Sequence, residues 1–526
     1  MHKVIFKAKN GEDVTVFAVG SETILDLAQN AGIPIDAPCS GNGTCGKCHV
    51  KIIEENTESL LLACQKVVSN DTVVIVPDTA TNYINDIIVE YMANHPASSH
   101  EGLAIDIGTT TVSALLVDMN NGDKLAKATT GNAQIRYGAD VINRIIEQQK
   151  PEGVKKLQDA IVKDTLIPLI DKLCEITEAS KDKIARLTVA ANTTMNHLLL
   201  GVDANSIRLE PYEPAFLEFN PRDPAEIGIK LAPDAKMLLA PNIGSYVGGD
   251  ITAGVLGAGV PAGSELMTLL IDLGTNGEIV FGNNEFMMAC ACSAGPAFEG
   301  GEISCGMRAT DGAIEACKID KNTLEPVLTV IGNSKPTGLC GTGLIDVIAE
   351  LFKAGIIDGK GKFTAKQAKQ GDGSSACFVL ATAEDSATGK DISITETDID
   401  NFIRAKGAIF SGIISLLTPL GLTPSDIENV YIAGGIGSTI NIKNAISIGM
   451  LPDLPLEKYS YLGNTALTGA YSMLMQKTDA QALEAVNEIA RNMTYVDLSS
   501  EPNYMNEFIA ACFLPHTDSN LFPSNN

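Results

Sequence analysis

The chain opens on a β pattern. Apolar positions alternate over residues 4–7 and again over 14–19, and Asn10-Gly11 between them is the strongest short hairpin signal. Ser21-Glu22 then offers a helix N-cap and an acidic first turn. Ile24, Leu25, Ala28 and Ala31 follow at helical spacing, and Gly32 supplies the stop. Strands near 48–53 and 72–76 complete a small ββα roll of ubiquitin-like form over residues 1–78. Next, Ile84, Ile87, Ile88, Tyr91 and Met92 fit the apolar stripe of an amphipathic helix, which Pro96 ends. Residues 79–100 therefore read as a linker helix and a short polar tether.

From residue 101 the pattern changes. The apolar run ending at Asp106 breaks at Gly108-Thr109-Thr110-Thr111 and resumes over 112–117, which is strand, tight glycine turn, strand. A near copy lies 166 residues later, where Asp272 is followed by Gly274-Thr275-Asn276 and a second apolar run. Such turns present backbone N–H groups and hydroxyls that can cradle phosphate oxygens, and Asp106 and Asp272 can hold the water shell of a Mg²⁺. One copy would be weak evidence. Two copies, each opening a hairpin, indicate a duplicated lobe with phosphates clamped between halves. A third element, the apolar strand 430–433, breaks into Gly434-Gly435-Ile436-Gly437 ahead of a helix.

Composition narrows the setting. A chain of 526 residues is too long for one hydrophobic core. The formal charge of −26 repels nucleic acid and anionic membranes, so neither is an expected partner. No apolar run approaches bilayer-spanning length, and residues 1–14 carry no apolar leader. Twelve cysteines are too dilute for a disulfide scaffold, which fits a reducing cytoplasm.

Four of those cysteines stand together. Cys39, Cys45 and Cys48 lie on one glycine-rich loop, and Cys64 follows in Leu-Leu-Ala-Cys-Gln. Three thiolates on a loop plus a distant fourth can enclose a two-iron cluster, with Gly41, Gly43 and Gly46 letting the backbone wrap closely. The spacing C-x5-C-x2-C…C resembles the adrenodoxin-like [2Fe–2S] ferredoxins, although the interval from Cys48 to Cys64 is short for them. Structural zinc is the rival reading, but zinc knuckles favour paired C-x2-C units and only one such pair is present. The other eight cysteines, Cys290 and Cys292 among them, sit in apolar or small-residue text and read as core packing. His49 reads as a surface residue or a support for the cluster loop.

The three glycine-broken strands occur in the order found in the acetate and sugar kinase, Hsp70 and actin superfamily (ASKHA), which they resemble. Val247-Gly248-Gly249-Asp250-Ile-Thr-Ala-Gly254 is similar to the segment whose Asp serves sugar kinases as catalytic base. Asp250 is thus the candidate to orient or deprotonate an attacking water, a role that can coexist with capping the helix that follows. Blocks 292–301, 304–309, 338–344 and 513–517 extend the likeness. With the front module they make the whole chain resemble the reductive activators of corrinoid proteins.

That resemblance implies a multidomain α+β and α/β protein. A ferredoxin domain (1–78) and the linker (79–100) precede two RNase H-like lobes, the middle region 101–262 and the C-terminal lobe 263–526. It implies a [2Fe–2S] cluster on Cys39, Cys45, Cys48 and Cys64. ATP and Mg²⁺ would sit at Asp106, Gly108, Thr109, Thr110, Thr111, Asp272, Gly274, Thr275, Asn276, Gly434, Gly435 and Gly437, with Asp250 catalytic. It further implies a corrinoid methyl-transfer protein as partner, a low-potential electron donor upstream and a homodimer. Two other classes stay open: a small-molecule kinase with a redox regulatory domain, and a non-catalytic ATP-binding redox sensor.

Overall fold

The computed structural model describes the chain except for residues 8–12, 34, 36, 38–40, 42, 44–47, 56, 77–86, 94–99, 261–263, 275, 301, 321, 365–368, 371–375, 436–439 and 526. Its contacts divide it into two compact units. One comprises Met1–Gly257 with Ala466–Ala490, the other Ala258–Thr465 with Arg491–Asn526.

The first unit begins with the roll. Strands His2–Lys7 and Val14–Ala18 form the expected antiparallel pair, and the five-stranded sheet continues through Thr72–Ile75, His49–Glu54 and Thr57–Leu62. The last of these strands is absent from the sequence reading. Its alternation is poor because Leu60 and Leu61 are exposed at the sheet edge. The helix spans Ile24–Asn30, and its cap is Thr23, not Ser21. Thr23 and Asp26 close a reciprocal capping box that a reading centred on Ser21-Glu22 overlooks. Ile24, Leu25, Leu27 and Ala28 pack on Val4, Phe6, Val50, Ile52 and Val74.

The linker helix is a correction. Ile88–Tyr91 is a strand, paired antiparallel with Lys124–Gly131 from Ile88↔Thr129 to Tyr91↔Ala126. Ile88 and Tyr91 are about two-thirds exposed, so among the described residues they form no buried stripe to hold a helix, and Ile84 lies outside the described residues. The β-branched and aromatic tetrapeptide instead satisfies a sheet edge.

The second sheet of this unit has six strands, in the order Lys236–Leu239, Ile184–Ala191, Glu101–Ile107, Thr111–Asp118, Lys124–Gly131, Ile88–Tyr91. Side chains alternate across it. Leu103, Ile105 and Ile107 join Leu157, Ile161 and Leu169 on one face. Ala104, Leu115 and Ala190 meet Leu467, Ala470 and Leu474 on the other. The segment 466–490, inside the expected C-terminal lobe 263–526, thus packs with the first unit. The physical reason is that the sheet has two apolar faces and needs cover on both.

The second unit repeats the plan. Its sheet runs Tyr459–Gly463, Asn429–Ala433, Thr268–Leu273, Gly277–Gly282, Met287–Cys292, Met493–Tyr495. In both sheets the Asp-bearing strand has an antiparallel hairpin mate on one side and a later parallel strand on the other. The duplicated lobe is therefore visible in hydrogen-bond topology. Helix Glu396–Leu417 crosses this core. With its extension to Leu420 it is long and apolar enough to cross a membrane, a stretch the sequence reading passed over, but 72% of the apolar window is buried inside the fold. Its Lys406 is fully buried and donates to the carbonyls of Phe513 (2.5 Å) and Pro515 (2.7 Å), which fastens the tail block.

Candidate functional site

The first glycine turn is held from behind. Gly108 N–H donates to Thr111 O at 3.0 Å, and a Cβ on Gly108 would stand 2.6 Å from that oxygen, so only glycine closes this turn. Asn132 Nδ2 donates to Gly108 O (2.9 Å), Arg144 Nη2 to Thr109 O (2.6 Å), and Asn132 N to Thr110 O (2.8 Å). Three successive carbonyls are thereby tied back. Because a trans peptide sets its N–H opposite its C=O, the N–H groups that follow them point away from these ties, as an anion cradle needs. Asn192 caps helix Thr193–Leu200 through Met195 N and donates to Thr109 Oγ1 at 3.1 Å.

Asp250 stands in the first turn of helix Gly249–Ala258, and its carboxylate accepts from Ile251 N at 2.9 Å. The two glycines before it permit a close fit. A Cβ on Gly248 would lie 2.4 Å from Thr193 N, and one on Gly249 would lie 2.3 Å from Ala240 O. The start of this helix therefore abuts the Asn192-Thr193 turn that holds Thr109. Asp250 and the first glycine turn are gathered around one cap.

In the second unit, Asp272 lies opposite Ala433 in parallel register, so Gly434 is its neighbour. Gly434 has φ +99°, and a Cβ there would meet Leu273 O at 2.3 Å and Asp272 Oδ1 at 2.6 Å. A Cβ on Gly435, by contrast, would meet nothing within 4 Å among the described residues. Gly274 N–H donates to Asn276 O at 3.0 Å. Tyr461 Oη donates to Gly434 O at 2.8 Å, and burial, with the Asp272 charge behind it, raises its pKa. Two of the sequence motifs are thus joined in this unit. Thr275 and Gly437 lie outside the described residues.

Of the four cysteines expected to hold a cluster, Cys48 and Cys64 meet with their sulfurs 3.3 Å apart. That is well beyond a disulfide bond of about 2.05 Å and within reach of two thiolates sharing one tetrahedral metal. Gly41 and Gly43, at φ +84° and +74°, pass beside Cys64 and Gln65. Cys39 and Cys45 lie outside the described residues. The donor chemistry and the close pair fit an iron–sulfur group. The remaining cysteines lie elsewhere in the fold. Cys290 and Cys292 are buried in the core beside Gly412, and burial pushes the Cys305 and Cys317 thiols to about 12. Among the described residues no group of three His, Cys, Asp or Glu could hold a metal ion. His49 is exposed.

Sequence reasoning missed Asn132, Arg144, Asn192 and Tyr461. Asn192 had a signal, as a polar residue ending an apolar strand ahead of a helix. A lone arginine on an amphipathic helix had none.

A cysteine-bearing roll followed by two copies of an Asp-Gly-Thr sheet defines a class, an iron–sulfur domain fused to an ASKHA fold. Residues 7–69 match the 2Fe-2S iron-sulfur cluster binding domain. Residues 101–262 match the RACo middle region, and 266–526 match the C-terminal domain of RACo, the ASKHA domain. The solved structure of a reductive activator for corrinoid, iron-sulfur protein is 36% identical, covers 100% of both chains and superposes with a TM-score of 0.73. The corrinoid activation enzyme RamQ of Eubacterium limosum is 29% identical over 93% of this chain and 96% of its own. The [Co(II) methylated amine-specific corrinoid protein] reductase of Methanosarcina barkeri is 24% identical over 75% and 73%. The chain belongs to the RACo family of reductive activators of corrinoid proteins.

Proposed function

We propose that this protein passes one electron from a [2Fe–2S] cluster on Cys39, Cys45, Cys48 and Cys64 to the Co(II) corrinoid of a partner methyl-transfer protein. Cobalt is reduced to Co(I), and ATP binding and hydrolysis drive the transfer. The observation that carries the reading is the full-length likeness to a reductive activator, at 36% identity, in a chain whose Cys48 and Cys64 sulfurs converge to 3.3 Å. The cluster, when bound, supplies one-electron chemistry near the low potentials of such centres.

The residues of the chain supply the rest. Asp106, Gly108, Thr109, Thr110 and Thr111 receive phosphates and Mg²⁺ in one lobe, and Asp272, Gly274, Thr275 and Asn276 do so in the other. Gly434, Gly435 and Gly437 receive the adenosine, for which the bare backbone at Gly435 leaves room. Asp250 orients the attacking water. An uphill step of about 59 mV costs one electron a factor of ten. A nearly complete two-state switch commands about 5.5 kcal/mol, so nucleotide binding is energetically sufficient for a gap of a few such steps. We place the protein in a reducing cytoplasm and take it to work as a homodimer fed by a low-potential donor.

The test mixes the reduced, cluster-loaded protein with a Co(II) corrinoid protein and follows the Co(I) absorbance band. The band should grow only with Mg²⁺-ATP. Asp250→Asn should retain nucleotide binding and lose ATP turnover by about 10²-fold or more. Nucleotide turnover with no Co(I) from any corrinoid partner would sink the proposal.

A further inference from the structure

The seven residues 132–138 form one bracket behind the first phosphate loop. Asn132 opens it and caps the 3-10 turn Ala133–Tyr137, while Gly138 closes it. Arg144 ties the bracket to the loop, with Nε on Gly138 O (2.8 Å), Nη1 on Gln134 Oε1 (3.2 Å) and Nη2 on Thr109 O (2.6 Å). Asn132 holds Gly108 O and Thr110 O. Every carbonyl from 108 to 110 therefore rests on this bracket. Asn132 and Arg144 are both completely buried, so the bracket cannot relax by turning to water.

The middle of the bracket is touched by the cluster domain. Gln29, in the last turn of helix Ile24–Asn30, donates its Nε2 to Arg136 O at 2.6 Å. Gly32, just past that helix, lies over the Arg136 guanidinium, 3.9 Å from where its Cβ would be, and Asn30 Oδ1 accepts from Lys156 Nζ at 3.3 Å. The same helix carries Leu25, whose side chain would stand 3.2 Å from a Cβ on Gly41 in the cysteine loop. One short helix thus touches the cluster loop with one end and the phosphate-loop bracket with the other.

We propose that helix Ile24–Asn30 is the element through which nucleotide at residues 108–111 and the docking of the cluster domain sense each other, with Gln29 on Arg136 O as the contact and Asn132 and Arg144 as positioning residues. This rests on the functional reading above. A ligand that presses on loop amides shifts carbonyls 108–110, these move Asn132 and Arg144, and the carbonyl of Arg136 moves with the turn they bound. Linkage makes the effect reciprocal, so loosening the helix must alter nucleotide affinity.

The experiment follows hydrogen exchange of the full-length, cluster-loaded protein with and without saturating Mg²⁺-AMPPNP, with binding verified by calorimetry. Exchange over residues 24–32 should change when nucleotide binds. In Gln29→Ala that change should shrink while the visible cluster spectrum stays intact, and AMPPNP affinity should shift about two- to five-fold, as loss of one hydrogen bond allows. Bound nucleotide that leaves 24–32 unaltered in the unmodified protein overturns the inference and spares the functional reading, whatever the variant does. A response equally strong in Gln29→Ala, at unchanged affinity, also overturns it. Failure of AMPPNP to bind at all overturns both.

Discussion

His197 is completely buried on the helix that Asn192 caps, and its two nitrogens have different jobs. Nδ1 lies 2.7 Å from Thr193 O and so carries the proton, while Nε2 accepts from Ala215 N–H at 3.1 Å. Phe216 stacks on the ring with centroids 4.3 Å apart. This arrangement requires the neutral imidazole, and burial lowers its pKa below the ordinary 6.5. The unfolded chain takes up a proton at 6.5 and the folded one only at lower pH. The His197 contribution is therefore complete above pH 6.5 and is lost as pH falls below it. Melting temperature should drop on acidification through that range, and His197→Gln should flatten the drop. An unchanged slope in the variant would refute this account.

At the scale of elements, the two glycine turns show how a short motif acquires geometry. Gly434 places its backbone against Asp272 and Leu273 at a left-handed φ, and no side chain fits there. Gly434→Ala should push strand Asn429–Ala433 off register beside Asp272. AMPPNP affinity should fall at least tenfold, about 1.4 kcal/mol, by calorimetry, with the cluster spectrum unaffected. Unaltered affinity would argue against adenosine binding at this turn. Elements also show where periodicity misleads. Ile84, Ile87, Ile88, Tyr91 and Met92 suit a helix by spacing, yet Ile88–Tyr91 pairs as an edge strand. Spacing describes which positions are apolar. It does not reveal that the neighbouring strand Lys124–Gly131 has a vacant edge.

At the scale of the molecule, the chain leaves its second unit to finish its first. Helix Thr465–Leu474 lays Ala470 and Leu474 on the sheet face that bears Ala104 and Leu115. Arg186 fixes its end, donating to Leu474 O (2.9 Å) and Gln476 O (2.6 Å) and pairing with Asp479 at 2.9 Å. The crossing with helix Gly249–Ala258 is so close that a Cβ on Gly469 would lie 1.8 Å from Ala253 O. Gly469→Ala should lift one helix from the other at a cost of about 3 kcal/mol, the upper end for an overpacked core, lowering the urea midpoint. Because Asp250 begins the helix that Gly469 abuts, ATP turnover should fall with it. A variant of unaltered stability would show that the helices are not pressed together.

The sequence alone determined the modules and the positions of their candidate chemistry. Four cysteines among glycines, two Asp-Gly-Thr turns and a Gly-Gly-Asp helix start are local signals, written in neighbouring residues and readable one window at a time. Tertiary structure decided which of them meet. Asn132, Arg144 and Asn192 hold the first glycine turn from 24 to 84 residues away from Gly108, counted along the chain, and the cover for that lobe returns only at residue 466. A buried donor is placed by the carbonyl it must satisfy, and that carbonyl is close in space, not in sequence.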